Sequence, residues 1–71
     1  MNIKKLRCAM IMNDDTTQKL AESLDISIKT LRDKIHGRSE FKHSEIQKII
    51  ERYYLTEKQA SDIFGWKYHE H

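Results

Sequence analysis

One stretch of sixteen residues, 27–42, holds a local excess of basic side chains. It carries two acidic groups and five basic ones, which are Lys29, Arg32, Lys34, Arg38 and Lys42. Residues 1–26 carry four basic and four acidic groups, and residues 43–71 carry four against five. A basic patch on a chain of net charge +2 predicts an anionic partner, most often nucleic acid. A solvated helix face without a partner is the alternative interpretation.

Four polar side chains of this stretch fall on one side of a predicted helix, opposite its apolar side. They are Lys29, Arg32, Asp33 and His36, placed by a rotation of about 100° per residue. Lys29 and Arg32 can donate hydrogen bonds to O6 and N7 of guanine, and Asp33 can accept one from N4 of cytosine. The spacing therefore predicts a helix face suited to reading base edges.

Residue patterns for catalysis or metal binding do not emerge. Cys8 has no histidine or acid at catalytic spacing and is expected to be a buried or bystander thiol. The four histidines, His36, His43, His69 and His71, show no metal-ligand spacing with cysteine. The sequence predicts a protein that is not an enzyme and that uses no cofactor, metal or small-molecule substrate.

Length and composition bound the fold that must position these groups. Seventy-one residues, 38% hydrophobic and 34% charged, make one domain at most. The absence of proline and the presence of only two glycines favour an all-α chain over a β-rich one. The longest apolar run is the tetrapeptide 9–12, and no signal peptide is evident. A single cysteine fits a reducing compartment, so we expect a cytoplasmic protein without a membrane segment.

Five apolar stripes with helical spacing run along the chain. They are Ile3, Leu6 and Met10; Leu20, Ala21 and Leu24; Leu31 and Ile35; Ile46, Ile49, Ile50 and Tyr53; and Ala60, Ile63 and Phe64. Each stripe is too narrow for a stand-alone helix, so five short helices must share one core. We expect the buried residues to include Leu20, Leu24, Leu31, Ile35, Ile46, Ile49 and Ile50. One of the adjacent Tyr53 and Tyr54 belongs to this core, and Phe41 is expected to lie under the fold.

Polar residues and glycines mark the helix ends. Ser27 is expected to cap the third helix, and Gly37 suits the left-handed position after it. Thr56 and Gln59 form a capping box ahead of the fifth helix, which Gly65 ends. The first helix carries Lys4, Lys5 and Arg7, which are expected on a solvated face rather than in an arm reaching the minor groove.

Residues 17–37 contain two short helices separated by a tight turn, a pattern that resembles the helix-turn-helix. The resemblance extends over Leu20-Ala21-Glu22-x-Leu24-x-Ile26-Ser27-x-x-Thr30-Leu31, then Lys34-Ile35-His36-Gly37-Arg38-Ser39-Glu40-Phe41, then Ser44-Glu45-Ile46. With these residues the chain is similar, over about 3–64, to the Cro and repressor-type helix-turn-helix family of temperate phages. The resemblance implies a compact five-helix, lambda-repressor-like domain at 1–65, followed by a tail at 66–71.

The resemblance also implies a function. It predicts a sequence-specific transcriptional regulator of a phage lysis–lysogeny switch, which binds double-stranded operator DNA with its third helix in the major groove. With the four residues of the helix face described above, the residues predicted to contact DNA are Thr17, Gln18, Ser27, Lys29, Thr30, Arg32, Asp33, His36, Arg38 and Lys42. Among these, the resemblance implies that Thr17, Gln18, Thr30, Arg38 and Lys42 lie at the phosphate backbone. Ile28 belongs either to the core or to a thymine-methyl contact.

Two departures from the family pattern affect these expectations. Asp25 occupies a turn position where relatives commonly have glycine, although aspartate tolerates the left-handed region better than most residues. Asp14 and Asp15 precede the second helix, where their charges would repel a phosphate. The second departure favours an alternative function, an antirepressor or modulator that binds a partner repressor protein.

A last group of apolar residues lies at the C-terminal end. Ile63, Phe64, Trp66 and Tyr68 are expected to form a contact surface, because large aromatic side chains are enriched at interfaces. The partner would be a second copy of the chain or a phage repressor. The alternative is that the aromatic tail folds back onto the first helix.

Overall fold

The structure, a computed structural model, describes residues 1–65, which form five α-helices and no strand. The helices are α1 (Ile3–Met12), α2 (Thr17–Ser23), α3 (Ile28–Ile35), α4 (His43–Tyr53) and α5 (Glu57–Phe64). This confirms the predicted all-α class with five helices. Within the described part of the chain, no helix has the length and apolar character needed to cross a membrane.

Side-chain caps fix where the helices begin. The Ser27 hydroxyl accepts a hydrogen bond from the Thr30 N–H at 3.0 Å, at the start of α3. Thr56 and Gln59 satisfy each other's backbone N–H groups at the start of α5. These two caps confirm the sequence prediction, and each satisfies a donor that the first turn of a helix leaves free.

Left-handed residues fix where the helices end. Positive φ angles occur, among residues 1–65, at Asp14, Asp25, Gly37, Tyr54 and Gly65. After α2, the Ile26 N–H donates to the Ala21 carbonyl and the Asp25 N–H donates to the Glu22 carbonyl, both at 3.1 Å. This pair of bonds is a Schellman closure. The turn between α2 and α3 therefore forms with aspartate in the glycine position, as expected.

One core joins the helices. Its most deeply buried side chains are Leu6, Leu20, Leu31 and Ile49. Five of the seven predicted core residues are buried, which are Leu20, Leu24, Leu31, Ile46 and Ile49. Ile35 and Ile50 are only half-buried and pack against the edge of the core. Of the adjacent tyrosines, Tyr53 is buried and Tyr54 is exposed.

The two ends of the described chain meet where α1 packs against α5. The Asn2 N–H donates to the Ile63 carbonyl at 2.6 Å. Ile63 and Phe64 are buried in the core, and the Phe64 ring meets the half-buried Phe41 edge-on with centroids 5.9 Å apart. The prediction that Ile63 and Phe64 form a contact surface was therefore wrong, because the chain's own core covers them.

The other two residues of that predicted surface, Trp66 and Tyr68, lie outside the described residues.

Candidate nucleic-acid interface

Helix α3 presents a polar face to solvent and an apolar face to the core. It packs against α2 across the short turn that Asp25 closes. Leu31 is fully buried, whereas Lys29, Thr30 and Arg32 are exposed. His36, directly after the helix, is also exposed. The structure thus brings together the side chains that the sequence placed on one reading face.

Asp33 is paired with two cations on this face. The Lys29 Nζ atom lies 3.2 Å from its Oδ2 atom, and the Arg38 Nη1 atom lies 3.4 Å from its Oδ1 atom. The hydrogen bond from Lys29, together with the neighbouring Arg38, lowers the pKa of Asp33, so the carboxylate is charged at neutral pH. The reading face consequently contains a built-in negative group between two of its predicted DNA contacts.

Lys34 does not belong to the basic surface, although it is one of the five basic residues of the stretch 27–42. Its Nζ atom lies 2.6 Å from Glu45 Oε1 on α4, and both side chains are about 8% exposed. Burial acts to raise the pKa of Glu45, but the hydrogen bonds from Lys34 and from the Lys42 N–H, together with the charges of these two lysines, outweigh it and lower that pKa. Lys34 also donates to the Glu40 carbonyl, so the pair holds the loop that carries Arg38 and Lys42.

The other residues predicted to contact DNA differ in their exposure and in their hydrogen bonds. The Ser27 hydroxyl donates a hydrogen bond to the Thr30 hydroxyl at 2.9 Å, in addition to accepting the capping hydrogen bond from the Thr30 N–H. Ile28 is half-buried and packs against the core, which favours its core role over a groove contact. Among the other residues that were predicted to contact the phosphate backbone, Gln18 and Lys42 are exposed and Thr17 is half-buried.

Arg7 is exposed, as predicted for a solvated face, and it also lies close to α3. This residue and Arg32 line a groove of about 400 Å³ between α1 and α3, together with His36, Thr16 and Thr17. Arg7 had been grouped with Lys4 and Lys5 as a solvated face. A helical projection places Arg7 next to the buried stripe of α1, but it does not show that α3 lies on that side.

Asp15 is a structural anchor and not a free charge near α2. Its two carboxylate oxygens accept from Arg52 at 2.7 and 2.8 Å, and its Oδ2 atom also accepts from the Tyr53 hydroxyl. The Asp15 side chain is 4% exposed. The expectation that both Asp14 and Asp15 repel a phosphate was therefore wrong for Asp15, because Arg52 neutralises it.

This anchor makes stability depend on pH. Hydrogen bonds from Arg52 lower the pKa of Asp15 to about 2, although burial acts to raise it. The unfolded chain takes up the proton near pH 4. The stabilisation is therefore complete above about pH 5 and is lost as the pH falls from 5 towards 2, by about 2 kcal/mol in all.

Urea unfolding of wild type and Asp15→Asn between pH 6 and pH 2.5 tests this prediction. The difference in unfolding free energy between the two proteins should shrink over that range. Parallel curves would show that Asp15 has no depressed pKa. Because other carboxylates titrate in both proteins, the comparison isolates the contribution of Asp15.

Among residues 1–65, no group of three or more histidine, cysteine, aspartate or glutamate side chains is placed to hold a metal ion. Cys8 is an exposed free thiol in this part of the chain.

Comparisons with protein-family models, with curated proteins and with solved structures find no match for this chain.

Proposed function

We propose that this chain is a sequence-specific DNA-binding regulator of the Cro and repressor type, with α3 lying in the major groove of an operator. The observation that supports it best is the exposed face of α3, where Lys29, Arg32 and His36 project opposite the buried Leu31. An α-helix fits the major groove, and its outward side chains reach the base edges. In this proposal the protein acts in the cytoplasm of a bacterial host, in a phage lysis–lysogeny switch.

Arg32 is the strongest candidate for a base contact. It is exposed, and within residues 1–65 it takes part in no ion pair, unlike Lys29 and Arg38. Its guanidinium can donate two hydrogen bonds to O6 and N7 of one guanine. Thr17, Gln18, Thr30 and Lys42 would contact phosphates and set the register on the duplex.

Replacing Arg32 by alanine is expected to weaken binding to a selected site by about 1–3 kcal/mol and to relax the preference at one base position. Fluorescence anisotropy on a selected duplex and on a random duplex measures both effects. Lys58→Ala removes one exposed cation from α5 and serves as the matched control. An equal loss in the two variants would contradict base reading by Arg32. An absence of salt-sensitive binding by wild type, alone or with a partner repressor, would contradict the proposed function.

A second candidate function, an antirepressor or modulator that binds a repressor protein, is favoured by exposed apolar side chains. Ile11 is 73% exposed and Met12 83% exposed at the end of α1, and Tyr54 is 85% exposed after α4. Exposed apolar groups at such positions suit a protein contact better than a phosphate contact. Sedimentation with a phage repressor protein, with and without operator DNA, distinguishes the two functions.

A further inference from the structure

The Asp33 carboxylate sits between Lys29 and Arg38, and each of its oxygens faces one of these cations. Lys29 and Arg38 are well exposed, at 87% and 69% of their side-chain surface, whereas Asp33 is 30% exposed. The carboxylate therefore lies beneath two projecting cations. Both separations, 3.2 and 3.4 Å, are far shorter than the screening length of about 8 Å at physiological salt.

The backbone builds this arrangement into the end of α3. The Arg38 N–H donates to the Asp33 carbonyl at 2.8 Å, so the same two residues are joined through main chain and side chain. Gly37, with φ 81°, turns the chain back so that Arg38 reaches the last turn of the helix. Lys29 lies one helical turn before Asp33, on the same face. The position of the carboxylate thus follows from the helix and its closure.

Exposed ion pairs of this kind add little to folding stability. Their effect on DNA binding is different, because a phosphate that approaches Lys29 or Arg38 meets a fixed negative charge beside each cation. Part of the electrostatic gain from counterion release is cancelled on every sequence. A base that offers an amino group in the major groove, N4 of cytosine or N6 of adenine, can instead donate to the carboxylate.

We propose that Asp33 is a specificity-determining residue, which weakens binding to DNA of arbitrary sequence and favours sites that present an amino group to α3. This inference rests on the proposed function and deepens it. When the protein is not bound to its operator, the carboxylate stays paired with Lys29 and Arg38. On the operator it accepts a hydrogen bond from a base, and the two cations are released to contact the DNA.

The test measures the salt dependence of binding to a random-sequence duplex for wild type, Asp33→Ala and Asp33→Glu. Removing the carboxylate should free one or two cations for phosphates and make the slope of log K against log salt steeper by about 0.9 for each. Between 50 and 200 mM salt this corresponds to an additional loss of affinity of roughly 3- to 12-fold. Glu57→Gln removes one negative charge at the exposed start of α5 and is the control for net charge. Asp33→Glu keeps the charge and should stay close to wild type.

Selection from a randomised duplex library provides the second measurement. Wild type should enrich cytosine or adenine at one position, and Asp33→Ala should lose that preference while binding random DNA more tightly. If Asp33→Ala and Glu57→Gln change the salt slope equally, or if the base preference is unchanged, the inference is overturned although the protein still binds DNA. If Asp33→Ala alone binds random DNA, the inference is supported. If wild type and all variants show no salt-sensitive binding, both the inference and the proposed function are overturned.

Discussion

Replacing Lys34 by methionine is expected to lower the free energy of unfolding by about 3–5 kcal/mol, a large fraction of the 5–15 kcal/mol typical of a whole domain. The substitution leaves the Glu45 carboxylate about 8% exposed and without its cation. One hydrogen bond, from the Lys42 N–H at 2.8 Å, would still reach it. The cost arises because a buried charge has lost its compensation, not because the ion pair itself is worth that much. Urea unfolding monitored by circular dichroism measures the effect.

The double variant Lys34→Met/Glu45→Met provides the decisive control. It removes both buried charges and fills a similar volume, so it should recover most of the lost stability. Lys29→Met, which removes an exposed cation from the same helix, should change stability by no more than about 0.5 kcal/mol. If Lys34→Met proves as stable as Lys29→Met, the Lys34–Glu45 pair is not buried in solution.

Truncating Leu31 to alanine is expected to destabilise the domain by about 2–5 kcal/mol. Leu31 is fully buried on the inner face of α3, so its removal opens a cavity between that helix and the rest of the core. A loss of this size threatens the fold of so small a chain. Thermal unfolding followed by circular dichroism gives the measurement.

Ile11→Ala is the matched control for the Leu31 substitution. It also shortens an aliphatic side chain on a helix, but at a position that is 73% exposed. Its unfolding temperature should therefore stay close to that of wild type. An unchanged melting curve for Leu31→Ala would contradict the position of α3 against the core.

Local signals explain how far the fold could be predicted from sequence. Hydroxyl caps at Ser27 and Thr56 act on backbone groups three residues away, and Gly37 and Gly65 act on the turn that contains them. The exposed polar face of α3 followed from helical periodicity for the same reason. Each of these features depends on a few consecutive residues and on the fixed geometry of a helix.

The features that sequence reasoning missed depend on residues far apart in the chain. Asp15 looked like a free acid because its partners, Arg52 and Tyr53, belong to α4, which lies far from it along the chain. Lys34 looked like a surface cation because Glu45 is on a different helix. Phe64 was assigned to a contact surface as well as to an apolar stripe, because its partner Phe41 lies in a distant loop. Periodicity cannot supply these pairings, since it describes one helix at a time.

The Asn2–Ile63 hydrogen bond, with the packing of α1 on α5, joins opposite ends of the described chain and has a kinetic consequence. The turn closures after α1, α2 and α3 span six residues or fewer, so they close rapidly and early. Bringing α1 to α5 requires closing almost the whole chain as one loop, which has the largest entropic cost of any contact described. Docking of α1 on α5 should therefore come late in folding. Its separation should be among the first openings of the native state, exposing the α1 backbone to hydrogen exchange before that of α3.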